Sequence, residues 1–274
     1  MQKLGKRWPL AILVVLAVLG TMLAGCGQAP AGTVSIAGST TVQPLAETLA
    51  DAFMDKYPDV RIDVGGGGSS VGVTSVKNGT VDIGTSSREI KEEELPIVKH
   101  LVARDGIAII VRPGNPVNGL TRAQVRDIFS GVITNWKEVG GPDHDIYVVV
   151  RESGSGTRAA FEEMVMAKPE PAVSIVSTAL QQSSNGGVKQ AVGGDSYAIG
   201  FISFGYVDDT VKALDIDGIE ATAENAKNGT YPIVRPLYFL TKEEPTGLVK
   251  DFIDFCLSDE GQAIVADEGY VTVN

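Results

Sequence analysis

The chain has 274 residues, 43% hydrophobic and 21% charged, with a formal net charge of −11 at pH 7. That length allows one large domain or two of ordinary size, and the apolar share suffices for a packed core. The composition excludes a collagen-like, coiled-coil or largely disordered chain, and the acidic balance argues against nucleic acid as a partner.

Residues 1–26 read as a separate segment. Lys3, Lys6 and Arg7 precede the apolar run PLAILVVLAVLG, and LAGC follows at Leu23–Cys26. This order of basic, apolar and small residues is that of a secretory signal. The apolar run is short of the ~20 residues that span a bilayer. The LAGC ending resembles a bacterial lipobox, which implies that Cys26 carries lipid and becomes the mature N-terminus. An ordinary signal peptide or a membrane anchor is the alternative. Stable anchoring takes more than one acyl chain. The expected location is therefore extracytoplasmic, on the cell membrane through the N-terminal lipid. Residues 27–33, GQAPAGT, read as a tether. Removing residues 1–25 leaves 20 basic side chains against 34 acidic ones, a net charge of −14. Such a chain repels anions at long range, so any anion site must be built from local donors. The second cysteine, Cys256, lies near Phe252, Ile253 and Phe255 and reads as a core thiol. No residues show zinc-ligand spacing.

TVSIAGSTTVQPLAETLADAF, from Thr33, reads as strand, turn and helix, with Leu45, Leu49, Ala52 and Phe53 at helical spacing. RIDVGGGGSSVGVTSVKNGTVDIG repeats the scheme. SSREIKEEELPIVKH reads as a solvated helical stretch, and DGIAIIVRPGNPV as a buried strand ended by Pro113 and Pro116. The strand DIYVVV leads into RESGSGT and a helix, AAFEEMV. YAIGFISFGYV and YPIVRPLYFLT read as later strands, and TGLVKDFIDFCLSDEGQAIVADEGYVTVN as a long helix and a tail. Strands alternating with helices predict α/β layers. Breaks near 113 and 203 predict two lobes, with residues 34–112 and 204–274 in the first and 113–203 inserted as the second. No sequence repeat of fixed period is evident.

Three turns share one chemistry. GSTT (Gly38–Thr41), GGGGSS (Gly65–Ser70) and ESGSGT (Glu152–Thr157) each follow a strand and open a helix. Glycines admit close approach of backbone N–H groups, Ser and Thr add hydroxyl donors, and the helix N-terminus adds its positive end. A single such turn is an ordinary helix cap. Three in one chain point to a shared anion, at the strand ends where open α/β sheets bind ligands. Arg151 ends a strand before the third turn, and its guanidinium can fork onto two oxygens of a tetrahedral anion. Arg88 follows GTSS at another strand end, whereas Arg158 has Glu162 four residues on and suits a helical ion pair.

Rival motifs fare worse. GSGTRA (Gly154–Ala159) fits a dinucleotide fingerprint, but no acidic residue lies between Glu170 and Asp195, where that fold needs one. GSSVG (Gly68–Gly72) fits a serine-hydrolase elbow with Ser70 as nucleophile. Only His100 and His144 are available as base, and both sit in polar surroundings. No Walker lysine follows any glycine loop. Neither enzyme activity nor a cofactor is expected.

With these loops in view, AGSTTVQPLAE, GGGGSSVGV, VDIGTSSREI, LTRAQVRDIFSGVITNWKEVGG, RESGSGTRAAFEE, AIGFISFGYV and YPIVRPLYF occur in an order that resembles the phosphate-binding proteins of bacterial ABC phosphate importers, over residues 33–274. The resemblance implies a type II periplasmic-binding fold, two α/β lobes joined by two crossing strands with a ligand cleft between them. It implies phosphate contacts from Ser39, Thr40, Thr41, Ser69, Ser70, Ser87, Arg88, Arg151, Ser155, Gly156 and Thr157. It implies inorganic phosphate and a membrane permease complex as partners of a monomer. Well-known members carry an aspartate at the position of Ser87, which accepts the proton of hydrogen phosphate. Here a serine hydroxyl is expected to accept that proton, with Glu152 as a substitute and weaker rejection of the wrong anion. Sulfate, molybdate, or a sensing or adhesion role on the same fold remain the alternatives.

Overall fold

A computed structural model describes residues 29–274; residues 1–28, with the signal segment and Cys26, lie outside the described residues. Strand β1 (Gly32–Gly38) runs into helix α1 (Val42–Lys56), and β2 (Val60–Gly65) into α2 (Ser69–Asn78), before β3 (Ile83–Ser86). These strands are parallel, in the order β2, β1, β3. Val34 and Ile36 alternate along β1 and are both buried, and the helical spacing of α1 buries Leu45, Leu49 and Phe53. The charged stretch after β3 forms only one 3-10 turn, Glu92–Glu94, not the expected helix. Pro96 disfavours helical geometry at Leu95 and ends it.

The next strand, β4 (Val98–Val111), has 14 residues and begins well before the apolar run that announced it. After β5 (Gly119–Leu120) and α3 (Arg122–Ser130) come β6 (Tyr147–Arg151) and α4 (Gly156–Phe161), which continues as a π-helical turn to Met166. Then follow β7 (Leu180–Gln182), α5 (Asn185–Gly194), β8 (Ala198–Ser203), β9 (Lys212–Ala213), β10 (Asp215–Ile216), α6 (Ala223–Lys227) and β11 (Val234–Thr241). The chain closes with α7 (Gly247–Leu257) and α8 (Asp259–Asp267), two helices where one was expected. Ser258 separates them: its backbone is extended, its Oγ donates to the Phe255 carbonyl at 2.6 Å, and it accepts from Gly261 N.

The sheet order is β2-β1-β3-β11-β4-β8-β6-β7. β4 joins its two parts. Residues 98–106 pair with β11, and Ile107–Val111 pair with β8, both antiparallel. Pro236, which lacks an N–H, lies where β11 pairs with β4 but not with β3, which it meets only at Tyr238–Leu240.

Apolar side chains gather into separate cores on the two parts. One holds Val34, Leu45, Phe53, Ile83, Phe239, Phe252 and the fully buried Cys256, whose thiol burial pushes up. A second holds Ile107, Ile109, Phe129, Trp136, Phe161 and Phe201, together with Leu214, Ile216, Tyr231 and Ile233. Residues 204–233 were expected in the first lobe. Of these, Leu214, Ile216, Tyr231 and Ile233 pack in the second core and Val211 in a smaller cluster with Ile110 and Val149, as β9 pairs with the Ile110–Val111 end of β4 and β10 with β5. Among the described residues no helix is long and apolar enough to cross a membrane.

Candidate functional site

The loops at the carboxyl ends of β1, β2, β3 and β6 meet at one buried polar cluster. Ser39, Thr40, Thr41, Ser69, Ser87, Arg88, Arg151, Ser155 and Thr157 are each no more than 8% exposed. Gly38 ends β1 at φ 142°, and a Cβ there would overlap the Thr85 carbonyl and the Gly72 backbone. Only glycine lets those chain segments converge.

From this convergence the hydroxyls follow one another. Ser39 Oγ accepts the N–H groups of Thr41 at 3.2 Å and Val42 at 3.4 Å, and donates to Ser87 Oγ at 2.9 Å. Ser69, in the first turn of α2, accepts the Ser87 N–H at 3.0 Å and stands 3.4 Å from Ser87 Oγ. From the facing core, Ser155 caps α4 by accepting Arg158 N–H at 3.2 Å, and Thr157 Oγ1 lies 3.1 Å from Thr41 Oγ1. Gly156 packs so tightly that a Cβ would overlap the hydroxyls of both Ser69 and Ser87. Ser70 is half-buried at the rim, its N–H donating to the Gly154 carbonyl at 3.2 Å.

The three arginines take different positions. Arg151, 1% exposed, lies against Glu152, with Nε to Oε2 at 3.0 Å and Nη2 to Oε1 at 2.9 Å. Nη2 also reaches the Ser183 carbonyl, while Nη1 makes no hydrogen bond among the described residues. Arg88 was expected to face the anion. Its guanidinium instead forks onto Glu94, at 2.8 and 2.6 Å, because the turn at Glu92–Glu94 curls back over it. That pairing, chiefly the hydrogen bond, holds the Glu94 carboxyl below its ordinary range. Arg158 pairs with Glu162 at 2.8 Å, as its spacing predicted.

Residues not singled out in the sequence complete the cluster. Asn185, wholly buried, donates from Nδ2 to Thr41 Oγ1 at 2.9 Å and accepts the Ser203 N–H at Oδ1. Arg235 and Asp105 sit opposite one another on β11 and β4. Arg235 Nε and Nη2 donate to Asp105 Oδ2 at 3.1 and 2.8 Å, and its Nη2 and Nη1 reach Thr41 Oγ1 at 3.0 Å and Ser87 Oγ at 3.4 Å. Burial pushes the Asp105 carboxyl up and the Arg235 guanidinium down, and each opposes the other's shift. Tyr206 and Tyr270 donate to the carbonyls of Thr40 and Thr41 at 2.7 and 3.0 Å. A charged residue inside an apolar strand, as in VARDGIAII and PIVRPLYF, was the available signal for Asp105 and Arg235.

The hydrolase reading finds no support here. His100 bonds Thr241 Oγ1 at 2.9 Å, His144 stacks on Tyr197 at 3.5 Å, and neither hydrogen-bonds Ser70. Among the described residues no cluster of His, Cys, Asp and Glu could hold a metal ion. What the cluster offers is many hydrogen-bond donors and buried guanidinium groups, the chemistry of an oxyanion cradle.

Comparison with known proteins gives the same direction. A family profile described as a PBP superfamily domain matches residues 26–260. The phosphate-binding protein PstS of Bacillus subtilis is 36% identical over 290 aligned residues, covering 98% of this chain and 95% of that protein. The fold is similar to a structure with bound phosphate from Clostridium perfringens, assigned as a phosphate ABC transporter substrate-binding protein. Its TM-score is 0.85 and its identity 47%, over 89% of this chain and all of that one. An ABC-type phosphate transport receptor from Vibrio cholerae is similar at a TM-score of 0.73 and 36% identity, over 87% of this chain and 99% of that one.

Proposed function

This chain belongs to the PBP superfamily, among the phosphate-binding proteins of the PstS type, and on that premise we propose that it captures inorganic phosphate and delivers it to an ABC importer. The observation that carries the reading is the convergence of buried hydroxyls from three loops of one core on Gly156 and Thr157 of the other, in the turn that follows the buried Arg151. Hydrogen bonds to a charged group contribute roughly 1.5–3 kcal/mol each. Several together outweigh the desolvation of an anion and the repulsion of an acidic surface.

Ser39, Thr40, Thr41, Ser69, Ser87, Arg151, Ser155, Gly156 and Thr157 form the site in this reading, with Ser70 at its rim. Arg88 is left out, since its guanidinium already serves Glu94. The chain changes body after Gly106 and returns after Val234, which the membership of the two cores supports. Closure about these two crossings brings the loops together around the ligand. The protein works outside the cytoplasm, as a monomer held to the membrane by lipid on Cys26. Phosphate is preferred to sulfate or molybdate because the similar proteins are named for phosphate.

Calorimetric titration of the purified protein, first stripped of carried-through anion, tests this. Phosphate should bind and sulfate should not. Preference for sulfate or molybdate would keep the fold and change the ligand. No heat with any of the three would overturn the reading.

A further inference from the structure

The geometry points to Asn185 and Arg235 as positioning residues that set the direction of the hydroxyl protons in the cleft, so that the cluster donates to its ligand. The inference rests on the phosphate reading and adds what the hydroxyls do.

A hydroxyl has one proton to give and two lone pairs to receive with. Thr41 Oγ1 receives two donors that cannot act as acceptors, the Asn185 amide at 2.9 Å and Arg235 Nη2 at 3.0 Å. The amide is fixed in that orientation because its oxygen accepts the Ser203 N–H. The guanidinium is fixed by Asp105. With both lone pairs engaged, Thr41 must donate, and its remaining partner is Thr157 Oγ1 at 3.1 Å. Thr157 therefore receives, and its own proton is left for the ligand.

The same logic runs on the other side. Ser39 Oγ receives two backbone N–H groups and must donate to Ser87. Ser87 Oγ also receives Arg235 Nη1, so both its lone pairs are engaged and its proton points outward, to Ser69 Oγ or to the ligand. On this reading Ser87 donates to the ligand, where it was expected to accept the ligand's proton. One buried guanidinium thus orients both arms of the cleft, and Asn185 orients one of them.

Phosphate affinity should be measured in Thr41→Ser, Thr41→Val, Asn185→Leu and the Thr41→Val/Asn185→Leu pair. Thr41→Ser keeps the hydroxyl and should stay within about threefold of the parent. Thr41→Val and Asn185→Leu should each lose about tenfold, the effect of one weakened bond to a charged group. The pair should lose no more than either alone, because both changes break one relay. Losses that multiply to about a hundredfold would overturn the relay, since a merely structural role for Asn185 weakens binding in either background alike. Full affinity in Thr41→Val would overturn it as well. Should Asn185→Leu fail to fold, Asn185→Asp replaces a donor with an acceptor in the same space, and undiminished binding there would contradict the inference. Failure of the parent protein to bind phosphate would count against the phosphate reading, and the same variants would then be compared with the oxyanion that does bind.

Discussion

Each arginine near the cleft is held by a carboxylate, and the geometry of the pair decides what the arginine can still do. Arg151 is gripped along one edge by Glu152, which leaves Nη1 without a protein acceptor among the described residues. Arg151→Ala should weaken phosphate binding at least about tenfold, read by calorimetry. Arg88 is gripped at both ends by Glu94, so Arg88→Ala should leave phosphate affinity unchanged while lowering the melting temperature. The deficit has a pH signature. Glu94 sits below its ordinary range in the folded protein, so its stabilisation is full above that range and is lost as pH falls through the depressed value. The melting temperatures of Arg88→Ala and the parent should therefore differ near neutrality and converge in acid. Arg235 differs again, because its partner Asp105 is wholly buried. Arg235→Leu strands that carboxyl and should destabilise by roughly 3–5 kcal/mol, measured by denaturant unfolding. The Ser, Thr and Gly members of the proposed site in the three glycine-hydroxyl turns were legible in the sequence, since each turn follows a strand and opens a helix, whereas Ser87 was expected only from the family resemblance. For Asp105 and Arg235 only a charge within an apolar strand was legible, and for Asn185 nothing, because strand register joins Asp105 to Arg235 and a buried amide joins Asn185 to Thr41 across more than a hundred residues of chain.

At the level of elements, the sequence patterns found the strands and helices whose apolar spacing reaches a core, and failed where a side chain overrides spacing. The run from Gly247 to Asp267 keeps a helical pattern throughout, yet Ser258 turns its hydroxyl back to the Phe255 carbonyl and starts a new helix. Ser258→Ala should cost about 1 kcal/mol, again by denaturant unfolding. The charged stretch before β4 looked helical from composition, and Pro96 limits it to one turn. The start of α4 bears most directly on the proposed phosphate site. Gly156 lies against Ser69 and Ser87 from the other core, so a methyl group there separates the two faces of the cleft. Gly156→Ala should abolish tight phosphate binding while leaving the unliganded melting temperature close to that of the parent. A large loss of unliganded stability would show that the position serves packing instead.

The whole molecule is organised by β4, the strand that pairs with β11 along its first part and with β8 along the rest. Each core is built on one end of that strand, and the polar cluster lies beside the crossing, where Asp105 meets Arg235. This is the type II periplasmic-binding fold, and the alternation of strands and helices had predicted its layers. The insertion point was harder to read. The breaks near 113 and 203 are prominent, but Leu214, Ile216, Tyr231 and Ile233 belong to the second core, an arrangement no local pattern announces. In the proposed function the hydroxyl loops of one core and the Arg151–Thr157 turn of the other enclose one phosphate. A crystal structure of the protein grown with phosphate tests it most directly. A tetrahedral anion should lie within hydrogen-bonding distance of Ser69, Ser87, Arg151 and Thr157, with Arg88 still on Glu94; an anion bound elsewhere, or none between these loops, would rule out this site.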